Sequence, residues 1–378
     1  METCYIGGTC KLAHVIHDLL CEERIIMKGY VVPGDLVQEQ DSGYPCISID
    51  ELQTSQYDFC FFCENVGEYN VLDRRNIDVK KSLSVVSMYL QPEYYAHRKT
   101  ALYYMRQGNI DGIITGISSV LRGINATFLP GKWLNCCGPG QDLYYDFLSL
   151  SDAITRTNGT IKYAVMGIAP YSFRYDLSLS KKNSLRTLAY YRQFGDLHNA
   201  SYPEEELEYM KYLDSIMDKY CFANWRDICF DVIFDYSFRG KRDKFYYDTL
   251  SEEELQESVE RVRRLADKPY LNTLEENKLI FEYYLKLCYR KNIKMIVLIP
   301  PFSDFFKKYF TEEYVLELRK IINQYKQEYP FEILDLYDDE AFNEAGLYED
   351  QDHLNAYGAI ELTNHLSSFL RERGYCMR

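Results

Sequence analysis

A chain of 378 residues and 44.7 kDa exceeds what one hydrophobic core usually supports, so two domains are expected, and 47% hydrophobic residues suffice to build them. Its 43 Lys and Arg against 57 Asp and Glu leave a formal charge of -14 with the basic residues scattered, which disfavours nucleic acid and an anionic membrane as partners and points to a small or neutral substrate. Met1 to Thr9 lack the features of a secretory signal, and no apolar run approaches the roughly 18 residues of a spanning helix, so a cytoplasmic protein with no membrane span is expected.

In chain order, Cys4-Tyr5-Ile6 reads as a strand, Gly7-Gly8-Thr9 as a turn, then a helix to about Cys21 and a strand from Arg24 to Val32. A helix around Asp50 to Gln53 and a buried strand from Asp58 to Cys63 repeat the alternation. This βαβ pattern predicts a small parallel-sheet domain over residues 1–75. Residues 76–105 read as linker and helix, with helical sequence from Pro92 to Gln107. Residues 106–378 form a second α/β domain, with strands at Gly112 to Thr115, Tyr163 to Ile168, Lys294 to Ile299 and Phe331 to Leu336. The polar, tyrosine-rich stretch 180–268 reads as a helical insertion of that domain that covers part of a site.

Two places carry chemistry. Ser118, in Gly116-Ile117-Ser118-Ser119, follows a strand and opens a helix, where a hydroxyl is exposed and the helix terminus is partly positive; a serine there also serves as a plain helix cap. Near the other end, Asp350-Gln351-Asp352-His353 puts an acid three residues before a histidine. A carboxylate at that spacing can take the Nδ1 proton and leave Nε2 to act as base, though an acidic cap beside a surface histidine looks the same.

Taken in order, Gly116-Ile117-Ser118-Ser119, Asn135-Cys136-Cys137-Gly138-Pro139-Gly140-Gln141-Asp142 and Asp350-Gln351-Asp352-His353 resemble the nucleophile, second glycine and D-x-x-H blocks of the SGNH (GDSL-type) hydrolases. The resemblance covers roughly residues 100–378. It is greatest to divergent bacterial members associated with cell-surface polysaccharide genes and extends, more distantly, to the D-alanyl-transfer proteins of the teichoic acid system. It implies a flavodoxin-like parallel sheet and a serine esterase or O-acyltransferase acting on an acyl ester, such as acetyl, of a cell-surface sugar or its precursor. It further implies Ser118 as nucleophile, His353 as base, Asp350 rather than Asp352 as its orienter, and the N–H groups of Ser118 and Gly140 as oxyanion donors. No metal or other cofactor is required. The sequence departs from the family pattern where an oxyanion Asn is expected: Gly167-Ile168-Ala169-Pro170 has Ala169, with Ser172 and Asn135 as candidate replacements. A catalytically weak binding or assembly protein of polysaccharide synthesis is the competing reading.

The segments Tyr5-Ile6-Gly7-Gly8-Thr9, Tyr30 to Asp35 and Pro45 to Ser48 resemble the small Rossmann-like domains that precede sugar-modifying domains in polysaccharide enzymes. Gly7, Gly8, Thr9 and Lys11 would then meet a nucleotide or nucleotide sugar at the first helix, although Gly7-Gly8 is not the full G-x-G-x-x-G pattern. The alternative role is a scaffold or dimerisation domain of a homo-oligomer. The twelve cysteines read as reduced core residues. Cys60 and Cys63 should face opposite sides of their strand, Cys10, His14 and His17 should share a helix face, and His97, His198 and His365 have no evident partner.

Overall fold

The structure, a computed structural model of the chain, describes residues 1–34, 40–63, 81–84, 105, 108–180, 186–202, 204–223, 225, 246, 249–266 and 272–375. It divides into two compact units, Met1–Ala96 with Ser201–Arg239, and His97–Ala200 with Gly240–Arg378. The expected single insertion is thus shared between them. Helix Glu204–Tyr220 joins the first unit because Ile216, Met217, Tyr220 and Cys221 bury against Leu19, Leu20 and Phe59 in one core, with Cys21 N–H donating to Tyr220 O at 2.8 Å. Most of the expected linker and of the helix Pro92 to Gln107 lies outside the described residues.

In the first unit the strands are β1 (Glu2–Gly7), β2 (Ile25–Val31), β3 (Gln40–Asp41), β4 (Tyr44–Ile47), β5 (Phe59–Phe62) and β6 (Ser82–Ser84). They form one sheet in the order β3-β4-β2-β1-β5-β6, parallel throughout except for the β3–β4 pair. The parallel strands therefore run 3-2-1-4-5 in chain order, as in doubly wound nucleotide-binding sheets. Strand periodicity sorts β5: Phe59 and Phe61, with Cys63 beyond them, enter one core, while Cys60 and Phe62 enter the other. The two cysteines do face opposite sides. Pro45 hides β4 from a propensity reading, since proline cannot donate to a ladder.

In the second unit β7 (Gly112–Gly116), β8 (Trp133–Asn135), β9 (Tyr163–Gly167), β10 (Lys294–Ile299) and β11 (Phe331–Asp335) form an all-parallel sheet in the order β8-β7-β9-β10-β11. In chain order this is 2-1-3-4-5, the flavodoxin-like arrangement. β7 and β9 are central and buried, which is why Ile113, Ile114 and Thr115 make a continuous run; each fully buried aliphatic side chain contributes about 1.5–3 kcal/mol. Direction reverses between β7 and β9, whose last residues, Gly116 and Gly167, are register partners, and sheets of this order open a crevice at such a point. Among the described residues no helix is long and apolar enough to cross a membrane.

Candidate active site

Ser118 is the first residue of helix Ser118–Gly123, two residues beyond β7. The turn that presents it depends on Gly116, whose φ of +141° and close approach to the neighbouring strand exclude a side chain: a Cβ there would lie 2.6 Å from Gly167 O. Gly116 O also accepts from Gly138 N–H at 3.1 Å, which fastens the loop carrying Gly140 to the serine turn. Beneath both, fully buried Asp146 accepts from the Gly116 N–H and the Gln141 side chain; burial pushes its carboxyl well above the ordinary range, and those donors offset part of the cost.

His353 comes from a loop 235 positions further along the chain, closed by Glu349 N–H donating to His353 O at 2.9 Å. Its Nε2 lies 2.8 Å from Ser118 Oγ, and its Nδ1 lies 2.8 Å from both Oδ1 and Oδ2 of Asp350. A carboxylate can only accept, so Nδ1 carries the proton and Nε2 is left to accept from the serine hydroxyl. Asp350 also accepts the N–H of His353 at 2.9 Å and of Asp352 at 3.1 Å, so the loop holds the carboxylate in place. Burial raises the Asp350 pKa, but the charges of His353 and Arg261 and these donors outweigh it and hold the group well below the usual carboxylate range.

Asp352 stands 3.7 Å from His353 Nδ1 and makes its short contact elsewhere, 2.6 Å from Arg261 Nη2. Burial pushes its carboxyl up, the neighbouring Asp350 adds to the shift, and His353 and Arg261 oppose it. The last helix, Ala356–Glu372, is capped not by this acid but by Asn355, whose Oδ1 accepts from Tyr357 and Gly358 N–H. Arg261 itself, on helix Glu252–Ala266, carries no sequence signal: among Glu253, Glu254, Glu257, Glu260 and Arg264 it reads as one more charge on a solvated face.

Of the two candidate replacements for the oxyanion Asn, Asn135 has both of its amide hydrogens engaged. The Asn135 amide donates to Leu121 O and Ile124 O, closing the end of helix Ser118–Gly123, and its oxygen accepts from Cys137 N–H. Ser172 Oγ accepts from Ala169 N–H at 2.9 Å and so closes the turn around that residue. Asn135 is thus structural, whereas Ser172, bound as an acceptor, keeps its hydroxyl hydrogen to donate.

At Gly7 to Lys11 the expected nucleotide turn has spent one of its donors. Gly8 N–H bonds Val31 O at 2.8 Å, Gly7 O accepts from Cys63 N–H at 3.0 Å, and the Cys10 thiol donates to Cys63 O. Thr9 and Lys11 follow, with Cys10 as the helix cap. His14 and His17 share a face, both Nδ1 atoms lying near the buried Tyr30 hydroxyl at 3.3 and 3.0 Å. His97 lies outside the described residues, whereas His198 and His365 do have partners: His365 faces Glu361, and His198 stacks on Tyr144 with its Nε2 3.2 Å from Glu276. His198, Asp142 and Asp176 gather ligand atoms within 4.8 Å, but the Asp142 oxygens already accept Tyr145 and Leu177 N–H, and Asp176 accepts Ser178 N–H and the Asn199 amide. Burial, with Asp176 alongside, pushes Asp142 up to about 6; for Asp176 burial is outweighed by these donors and by His198, bringing it down to about 2.

The second unit is thus an α/β fold of flavodoxin-like order with a serine, a histidine and an aspartate in hydrogen-bonded sequence at its topological switch point. The family model described as DltD protein matches residues 241–371, about a third of the chain, a span that includes Asp350 and His353 but not Ser118. No curated protein matches the sequence. Among solved structures, the chain is similar to a GDSL-like lipase from Bacteroides thetaiotaomicron (TM-score 0.34, 9% identity, covering 75% of this chain and 98% of that one). It is similar also to a proposed acylhydrolase from Bacteroides fragilis (TM-score 0.33, 9% identity, 70% and 87% covered). At these scores neither likeness bears on what the chain does.

Proposed function

We propose that the chain is a serine-dependent acyl-transfer enzyme, an esterase or O-acyltransferase, with Ser118 as nucleophile, His353 as general base and acid, and Asp350 as the residue that orients the imidazole. The observation that carries this reading is the pair of 2.8 Å contacts on the two nitrogens of one imidazole, to Ser118 Oγ on one side and to Asp350 on the other. In the first half-reaction Ser118 Oγ attacks the acyl carbonyl while its proton passes to His353 Nε2. The tetrahedral intermediate collapses as that proton passes to the departing alcohol oxygen, leaving the acyl group on Ser118. Water, or a hydroxyl of a sugar acceptor, then attacks the acyl-enzyme by the same route in reverse. The match to the DltD protein family over residues 241–371 supports acyl transfer, and the overall charge of -14 favours a small or neutral acyl donor. An acyl ester of a cell-surface sugar or its precursor is the substrate class we infer.

A binding or assembly role is favoured by one specific observation, the engagement of the Asn135 amide in structural bonds in a chain that has Ala169 where the oxyanion Asn is expected. Losing one oxyanion donor costs on the order of 10²–10³ in rate in other serine enzymes, which slows turnover without abolishing it. A panel of short-chain aryl esters and O-acetylated sugars, assayed with the wild type and Ser118→Ala, separates the readings. Turnover that disappears in Ser118→Ala supports the enzyme; equal rates for the two proteins favour the binding role.

A further inference from the structure

Three charged groups meet behind the imidazole where a serine triad needs one. Asp350 holds His353 Nδ1 at 2.8 Å; Asp352, two residues on, is the more deeply buried of the two carboxylates, its side chain 6% exposed against 25%, and its oxygen is 3.7 Å from the same nitrogen. Two carboxylates competing for one N–H make an ambiguous orienter, because either can accept it and their like charges repel. Arg261 reaches both: Nη2 lies 2.6 Å from Asp352 Oδ1 and 3.5 Å from His353 Nδ1, and Nη1 lies 3.4 Å from Asp350 Oδ2. The short contact falls on Asp352, the carboxylate that does not hold the histidine.

We propose that Arg261 is a positioning residue that removes Asp352 from competition, so that Asp350 alone orients His353. This inference rests on the proposed function above. With the guanidinium in place, Asp352 has a partner for its buried charge and no need of the imidazole. Without it, Asp352 is a buried carboxylate whose nearest remaining cationic or N–H partner is His353, and the ring turns toward it, away from Ser118. The other groups near this cluster are Glu349, which is paired with Arg122, and the buried hydroxyl of Tyr171, which is raised well above its ordinary range by burial and by Asp352. Among the described residues the other cation near the cluster is Arg122, and its printed ion pair is with Glu349 rather than with Asp352.

The test is a cycle of Arg261→Gln, Asp352→Asn, the double variant and Arg261→Lys in the full-length protein. Two quantities are read: the rate at which a fluorophosphonate modifies Ser118 as a function of pH, and the downfield Nδ1–H proton resonance of His353. Arg261→Gln is expected to slow labelling roughly 10- to 100-fold and to shift or broaden that resonance. Asp352→Asn alone should stay within about threefold of wild type, Arg261→Lys should retain most of the rate, and the double variant should return both quantities to those of Asp352→Asn. A purely structural arginine would not be rescued by removing a carboxylate. An unaltered Arg261→Gln, or a double variant as impaired as the single one, overturns the proposal. Should Arg261→Gln fail to fold, the double variant decides: a folded protein with the Asp352→Asn rate supports the proposal, and a second unfolded protein overturns it. If no variant, wild type included, is labelled, the proposed function fails, while the Nδ1–H resonance still decides whether Arg261 sets the partner of His353.

Discussion

The molecule contains the same local device twice, with different outcomes. In each unit the first strand of a parallel sheet ends in glycine and passes directly into a helix, at Gly7-Gly8 and again at Gly116. In the first unit the turn is occupied by its own backbone: Gly8 donates to Val31, Gly7 accepts from Cys63, and the Phe62 ring fills the space beside Gly7. In the second, Gly116 is tied down by Asp146 and Gly138, and the side chain beyond it, Ser118, meets an imidazole delivered from the far end of the chain. A strand–glycine–helix turn therefore provides a place. What makes it a candidate site is the partner that arrives from elsewhere.

The largest effect should come from removing the partner and leaving the turn. Asp350→Asn should keep the fold and lower fluorophosphonate labelling of Ser118 about 10⁴-fold, as loss of the orienting carboxylate does in serine triads; labelling kinetics with a circular dichroism control checks it. Next comes the turn itself. Gly116→Ala forces a side chain into φ +141° against a carbonyl 2.6 Å away, whereas Gly8→Ala, at φ +94°, meets its nearest carbonyl at 3.1 Å. Chemical denaturation should show the first substitution costing about 3 kcal/mol or more and the second about 1–2 kcal/mol. Equal losses would mean that the two turns are under the same constraint. Asp352→Asn, which leaves the Asp350–His353 contact in place, should change labelling by no more than about threefold.

The smallest effect is the pH dependence of stability. The folded-state pKa of Asp350 lies below the reference value near 3.9 of an unfolded chain, so the folded protein binds that proton less tightly. Its stabilisation is complete above that value and is lost as pH falls toward the lower, folded one. Melting temperatures of wild type and Asp350→Asn should thus differ by a constant amount at neutral pH and converge below about pH 4. A gap that widens on acidification would contradict this sign.

Burial makes β7, β9 and β10 nearly continuous apolar runs, and β11, a half-buried edge strand, keeps the apolar residues Phe331, Ile333 and Leu334, so four strands of the second sheet were legible to within a residue. Ser118, Asp350 and His353 were legible because strand–turn–helix placement and a three-residue spacing are local patterns. β4 was concealed by Pro45, and β8 and β6 are only three residues each, too short for a period to register. The allegiance of helix Glu204–Tyr220 to the first unit depends on which core its apolar stripe enters, which no local pattern reports. Arg261 and Asp146 were missed for a similar reason. A charged residue on a helix looks the same whether it faces solvent or another charge, and only the packing of distant segments distinguishes the two.

In the reading proposed for this site, His353 activates Ser118 and no other serine. Incubation of the full-length protein with a fluorophosphonate, followed by peptide mass spectrometry, tests it directly. One adduct is expected, on Ser118, absent in Ser118→Ala and nearly absent in His353→Ala. An adduct on a different serine, or none on folded wild-type protein, would contradict it.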